Sequence, residues 1–122
     1  MRESGPRIRL PSHAAMAWPT LTAIKMAGGS ATNAEIMEAV AHDLKLSDQQ
    51  RALLRTPRGS RTLLDYRLAW SRTLLKNMGA IINDAPCHWS ITDIGRKTTS
   101  EDIQHFTDKM LDKLREPSRP TN

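Results

Sequence analysis

Residues 58–79 read RGSRTLLDYRLAWSRTLLKNMG, and their apolar side chains recur at the spacing of one long α-helix. Ser60 can cap its first turn by accepting a free backbone N–H, and Gly79 suits the left-handed residue that closes a helix. The inner face is predicted to consist of Leu63, Leu64, Leu68, Trp70, Leu74, Leu75 and Met78. The outer face is predicted to consist of Arg61, Thr62, Asp65, Tyr66, Ala69, Arg72, Thr73 and Lys76. A DNA-recognition helix and an ordinary solvated helix both have such an outer face, so the pattern leaves the two interpretations open.

Three helices are predicted before this one, each with its own start signal. Ser12 opens the first, and the capping boxes TNAE (residues 32–35) and SDQQ (residues 47–50) open the second and the third. Residues 56–59 (TPRG) then form a tight connection into the long helix. This order is that of a helix-turn-helix.

The segment after Gly79 predicts a β-hairpin. The apolar period changes there from 3.6 to about 2, so residues 80–83 and 88–91 are predicted to be strands on either side of a turn at 84–87. A short edge strand is predicted at residues 30–32. The fold class is therefore mainly α with a small β-hairpin wing, that is, a winged helix-turn-helix plus a C-terminal helix.

Four segments are predicted along the chain: a flexible basic arm (1–10), a winged helix-turn-helix domain (11–98), a C-terminal helix (99–116) and a disordered tail (117–122). The apolar side of the final helix can pack on the domain's own first helix or pair with its copy in a homodimer. The residues predicted to hold that homodimer are Ile103, Phe106, Met110 and Leu114.

The composition indicates a small intracellular domain with an anionic partner. The 122 residues, 39% of them hydrophobic, suffice for one domain with a modest core, and the formal net charge is +5. The single cysteine, Cys87, rules out an intrachain disulfide, which fits a reducing compartment. There is no run of about 18 apolar residues. We expect a cytoplasmic, nucleoid-associated protein with no membrane partner.

Several motifs stand in the order and spacing of a known family. They are LLRTPRGSRT (residues 53–62), YRLAWSRTLLKNMGAI (residues 66–81) and WSITDIGR (residues 89–96). Together they resemble the N-terminal domain of Mrr-type restriction proteins, a winged helix-turn-helix that presents DNA to a separate nuclease domain. The resemblance covers most of the chain, from about residue 10 to residue 95, and it implies duplex DNA as the partner.

The sequence contains no recognisable set of catalytic residues. The nuclease of the resembled family uses a Glu-x-Lys or Gln-x-Lys pair, and neither pattern occurs anywhere in this sequence. Cys87 and His88 are adjacent, but a zinc site needs about four ligands and no second pair is nearby. We expect no enzyme activity, no cofactor and no metal.

The residues predicted to contact DNA lie on the long helix and at its start: Arg58, Ser60, Arg61, Thr62, Asp65, Tyr66, Arg72 and Lys76. Arginine can bind guanine through two hydrogen bonds or can bind phosphate without reading sequence, while simple solvent exposure remains the alternative for any one of these residues.

Three residues are predicted to be structural, namely Arg67, Trp70 and Trp89. Both tryptophans are expected in the core. Arg67 falls within the apolar stripe, where an unpaired charge is costly, so it is expected to form a salt bridge with an acid of an earlier helix. The candidate acids are Glu35, Glu38 and Asp43, and DNA contact by Arg67 is the alternative.

The function predicted from the sequence is duplex DNA binding by a stand-alone regulator of transcription. A first alternative is the DNA-reading component of a restriction or defence system, one that senses modified bases and whose nuclease is a separate chain. A second alternative is a protein-interaction adaptor that docks a partner through its final helix.

Overall fold

Six helices and a three-stranded antiparallel sheet form the fold in this computed structural model, which describes residues 8–115. The elements are α1 (His13–Met26), β1 (Ser30–Thr32), α2 (Asn33–Asp43), α3 (Asp48–Ala52), α4 (Leu63–Asn77), β2 (Ile81–Ala85), β3 (His88–Ile91), α5 (Asp93–Lys97) and α6 (Ser100–Arg115). β3 lies between β1 and β2, and both of its pairings are antiparallel. The predicted fold class is confirmed: mainly α, with a small β-hairpin wing and a C-terminal helix.

The predicted helix starts are formed by side-chain caps. The hydroxyl of Ser12 accepts the N–H of Ala15 at 3.1 Å and opens α1. α2 and α3 each begin with a reciprocal capping box, in which the cap hydroxyl and a side chain three residues later bind each other's backbone N–H. These bonds satisfy N–H groups that have no partner within the helix.

α4 begins later than the sequence pattern predicted, because the chain before it forms a narrow loop. Thr62, and not Ser60, is the N-cap, and its hydroxyl accepts the N–H of Asp65. In the loop the N–H of Arg55 donates to Arg61 O at 2.9 Å, and residues 56–59 close a turn. These backbone bonds hold the loop in a hairpin-like shape that a longer helix would destroy.

The core lies between α1 and α4, with α2 and the sheet closing its sides. Leu64, Leu68 and Leu75 of α4 are fully buried. Trp70 was predicted to lie in the core, but this prediction is wrong, because its side chain is 45% exposed. It stands two residues after Leu68, which places it about 160° away around the helix.

α6 packs on α1 through its first half. Ile103 is buried and Phe106 is half-buried against the core, which matches the alternative of packing within the chain. Ile103 is therefore not available for the predicted homodimer seam. Met110 is exposed, and the side chain of Leu114 lies outside the part of the chain that the structure describes.

Both predicted terminal segments lie largely outside residues 8–115, the part of the chain that the structure describes. Only residues 8–10 of the basic arm are described, and the tail over 117–122 is not. Among residues 8–115, no helix has both the length and the apolar composition that a membrane crossing requires.

Candidate nucleic-acid interface

Two arginines meet on one tyrosine at the start of α4. The guanidinium carbon of Arg55 lies 4.0 Å from the ring centroid of Tyr66, and that of Arg61 lies 5.6 Å from it. The backbone bond between Arg55 and Arg61 brings the two side chains to the same side of the loop. Stacking on an aromatic face orders a guanidinium while leaving N–H groups at its edge for an anion.

Hydrogen bonds within this cluster fix its arrangement. Arg61 forms an ion pair with Asp65, one helical turn further along. The neighbouring side chains of Trp70 and then of Arg55 lower the pKa of Tyr66. Arg58 and Ser60, also predicted as contacts, are exposed in the same loop. The loop thus presents three arginines, one of them neutralised in part by a carboxylate.

The exposed side of α4 continues from this cluster towards the helix end. Tyr66, Ala69, Trp70 and Thr73 border a notch of about 230 Å³ whose rim includes Arg61. Lys76 is exposed near the end of the helix, as predicted. The exposed surface is therefore basic at the start of the helix and largely uncharged in its middle.

Arg72 is the predicted contact that the structure places elsewhere. Its side chain is only 6% exposed, because it stands four residues after Leu68 and so lies on the buried flank of α4. Nε and Nη1 are enclosed without a hydrogen-bond partner, and the ring of Trp89 lies 6.0 Å from the guanidinium carbon. Burial lowers the pKa of Arg72. This position does not offer the guanidinium to DNA.

Arg67 has a different partner from the one predicted. Its Nη1 donates to the carbonyl oxygens of Leu10 and Pro11 at 2.7 and 3.1 Å, so it fastens the chain before α1 to α4. The salt bridge to an earlier helix was the wrong expectation for Arg67. Glu38, one of the proposed acids, instead pairs with Arg51.

The wing is held by hydrogen bonds around a carboxylate. Asp84 accepts from Ser90 Oγ at 2.6 Å and contacts His88 Nδ1 at 2.7 Å. The indole N–H of Trp89 donates to Asn33 at 2.8 Å and ties the wing to α2. Trp89 is half-buried, in agreement with a structural role. The wing adds a negative charge and no lysine or arginine to the surface beside α4.

Acidification is expected to weaken the wing through Asp84. Hydrogen bonds from Ser90 and then His88 hold the pKa of Asp84 below its ordinary value of 3.8. Because the pKa is lowered by folding, the contribution to stability is complete above pH 3.8 and is lost as pH falls through the folded-state pKa. The free energy of unfolding should therefore differ between the wild type and Asp84→Asn, and this difference should shrink as the pH falls below 3.8. A difference that is independent of pH would contradict this role for Asp84.

Arg55, Trp70 and Thr73 are surface residues of this region that were not among the predicted contacts. Arg55 could have been found, because a proline-glycine turn at residues 56–59 brings the flanking residues side by side. Trp70 was missed because its apolar side chain was assigned to the core. Among residues 8–115 there is also no cluster of three His, Cys, Asp or Glu side chains that could hold a metal ion.

One family model matches the part of the chain that contains this surface. The family model described as the Mrr N-terminal domain matches residues 14–101, which is more than half of the chain and includes α4 and the wing. Comparisons with curated proteins and with solved structures give no match.

Proposed function

Because this chain belongs to the Mrr N-terminal domain family, we propose that it binds duplex DNA and regulates transcription. In this proposal α4 lies in the major groove and the loop before it follows the phosphate backbone. The observation that carries the proposal is the pair of arginines at Tyr66, at the start of α4, with Arg55 stacked on the ring, Arg61 close to it and Arg58 exposed beside them. The first turn of a recognition helix is the part that usually contacts the bases and the adjacent backbone.

The charges of this region favour phosphate contact. Arg55, Arg58 and Arg61 lie within seven residues of chain, and Thr62 and Ser60 add hydroxyl groups nearby. Each phosphate that is neutralised releases counterions, so the binding constant should fall steeply with salt concentration. Lys76 extends the positive surface to the far end of α4. We include these residues in the proposed interface and leave Arg72 out.

Arg55→Gln and Arg61→Gln should each weaken binding to a random-sequence duplex. Each substitution removes one cation, so the slope of log K against log salt should become shallower by about 1. Fluorescence anisotropy at several salt concentrations measures both the affinity and the slope. Arg96→Gln on α5 is the matched control, because it removes the same charge from an exposed residue outside this surface and should leave the slope unchanged. If Arg96→Gln and Arg61→Gln change the slope equally, the loop is not the binding surface.

The family match also favours a second candidate, the DNA-reading component of a restriction system whose nuclease is another chain. Measuring the affinity for a methylated and for an unmethylated duplex of one sequence separates the candidates, since a restriction component that senses modified bases should prefer one of the two duplexes. A reporter gene behind a selected binding site tests the regulator directly. No binding to any duplex at low salt would instead favour the adaptor. Its docking surface would then be the groove between α4 and α6, which is lined by Trp70, Leu74, Met110 and Leu111.

A further inference from the structure

The polar groups in the middle of α4 are largely used within the protein. The hydroxyl of Thr73 donates to Ala69 O at 3.0 Å, which turns its methyl group away from that bond. Asp65 is paired with Arg61. The ring of Tyr66 is covered on one face by Arg55 and meets the ring of Trp70 edge to face. This stretch of helix therefore offers apolar contact to a base pair more readily than a hydrogen bond.

The notch provides a concave surface for such an apolar contact. Ala69 has the smallest side chain on its border, and the larger side chains of Tyr66, Trp70 and Thr73 surround the space of about 230 Å³ that it leaves. The two aromatic rings meet edge to face with their centroids 6.4 Å apart, and Trp70 remains 45% exposed. The notch is thus concave, bordered by rings and small side chains, and open on the side of α4 that faces away from the core.

We infer that this notch binds the C5 methyl group of a thymine. In the major groove the thymine methyl is the one apolar group that a base pair presents, and alanine, threonine and aromatic side chains are its usual contacts. The inference rests on the proposed function, because it requires α4 to lie in the major groove. It adds a preference for thymine at one position of the binding site.

Arg61 links the proposed thymine contact to the proposed phosphate contact. It borders the notch while its guanidinium lies at the basic end of the helix, fixed by Asp65. A phosphate bound at Arg61 would therefore set the position along the groove at which the notch meets a base pair. Backbone contacts that set register in this way are common in protein–DNA interfaces.

Replacing single thymines by uracil tests the inference, since this removes the methyl group and leaves the base pairing unchanged. The duplex is first selected from a random pool with the wild-type protein, and each thymine is then replaced in turn. We expect about a fourfold loss of affinity at one position, which corresponds to the burial of one methyl-sized group. Equal affinity for thymine and uracil at every position would overturn the inference, even where duplex binding itself is strong and depends on salt.

A variant that fills the notch makes the test specific to this site. Ala69→Leu should abolish the difference in affinity between the thymine duplex and the uracil duplex, whatever the overall affinity of the variant, because the leucine side chain fills the notch and leucine favours the helix. Ala39→Leu, at an exposed alanine of α2, is the control and should retain the preference. A preference that survives in Ala69→Leu would mean that the methyl group is read elsewhere. Failure of the wild type to bind any duplex would overturn the proposed function together with the inference.

Discussion

Gly95→Ala is expected to destabilise the domain by about 3 kcal/mol or more, because the added methyl group overlaps the main chain. A Cβ at residue 95 would overlap the carbonyl oxygen of Ala80 and lie 2.9 Å from its carbonyl carbon. It would also lie 2.7 Å from Cγ1 of Ile91. Only a shift of α5 away from the strand segment could relieve this overlap. Thermal unfolding followed by circular dichroism should show the midpoint lowered by about 10 °C or more.

Gly28→Ala is the matched control for this prediction. Gly28 has a φ of 95°, so alanine there is strained, but no atom lies within 4 Å of the position its Cβ would take. The expected loss is about 1–2 kcal/mol, the usual cost of a left-handed conformation for a residue with a side chain. A Gly95→Ala variant no less stable than Gly28→Ala would contradict the close packing of α5 against Ala80. This packing also gives a physical reason for the glycine that ends the WSITDIG motif.

Arg72→Met is expected to make the domain more stable, by about 1–3 kcal/mol. The guanidinium of Arg72 is buried with two nitrogen atoms that have no hydrogen-bond partner, and Asp65, whose charge acts on it, is already paired with Arg61. Methionine keeps the length and the packing of the side chain and removes the desolvated charge. The midpoint of thermal unfolding should rise accordingly.

Two controls accompany Arg72→Met. Arg72→Lys keeps a buried cation and should give no gain in stability. Lys76→Met removes a charge from an exposed residue on the next turn and should change the free energy of unfolding by about 0.5 kcal/mol or less. If Arg72→Met lowers the unfolding midpoint, the contacts of the guanidinium, including the one with the ring of Trp89, outweigh the cost of burying its charge. If it weakens duplex binding as strongly as Arg61→Gln, Arg72 belongs to the interface after all.

The sequence predicted those parts of the fold that depend on local chemistry. A capping box needs only two side chains three residues apart, so the starts of α2 and α3 could be read directly. The order of helices and strands followed from apolar periods of 3.6 and 2. The start of α4 was misplaced because Ser60 and Thr62 are both good caps, and the backbone bond between Arg55 and Arg61 decides between them.

The prediction of which face of α4 a residue occupies was wrong where the residue type suggests one face and its position in the helix places it on the other. Trp70 is apolar but lies on the exposed side, and Arg72 is charged but lies on the buried flank. Assigning faces by residue type gave the wrong side for both, although their spacing from Leu68 would have given the right one. The partner of Arg67 could not be predicted at all, because the carbonyl groups that it binds lie more than 50 residues away in the chain.

The sequence predicted where the proposed interface lies, but not all of the residues that form it. The resemblance to the family pointed to α4, and Arg58, Ser60, Arg61, Tyr66 and Lys76 do lie on its exposed side or in the loop before it. The stacking of Arg55 on Tyr66 depends on the fold of that loop and was not foreseen. The notch likewise depends on Trp70 being on the surface, which the sequence pattern had not indicated.

If α4 and the loop before it face duplex DNA, amide chemical-shift mapping should locate the contact there. A duplex is titrated into the ¹⁵N-labelled full chain at low salt, and the indole N–H signals of the tryptophans are followed with the amides. We expect the largest shifts in residues 54–62, in the exposed positions of α4 from Tyr66 to Lys76, and at the indole of Trp70. Shifts confined to α1 and α6, with α4 unaffected at saturation, would show that α4 does not face the duplex.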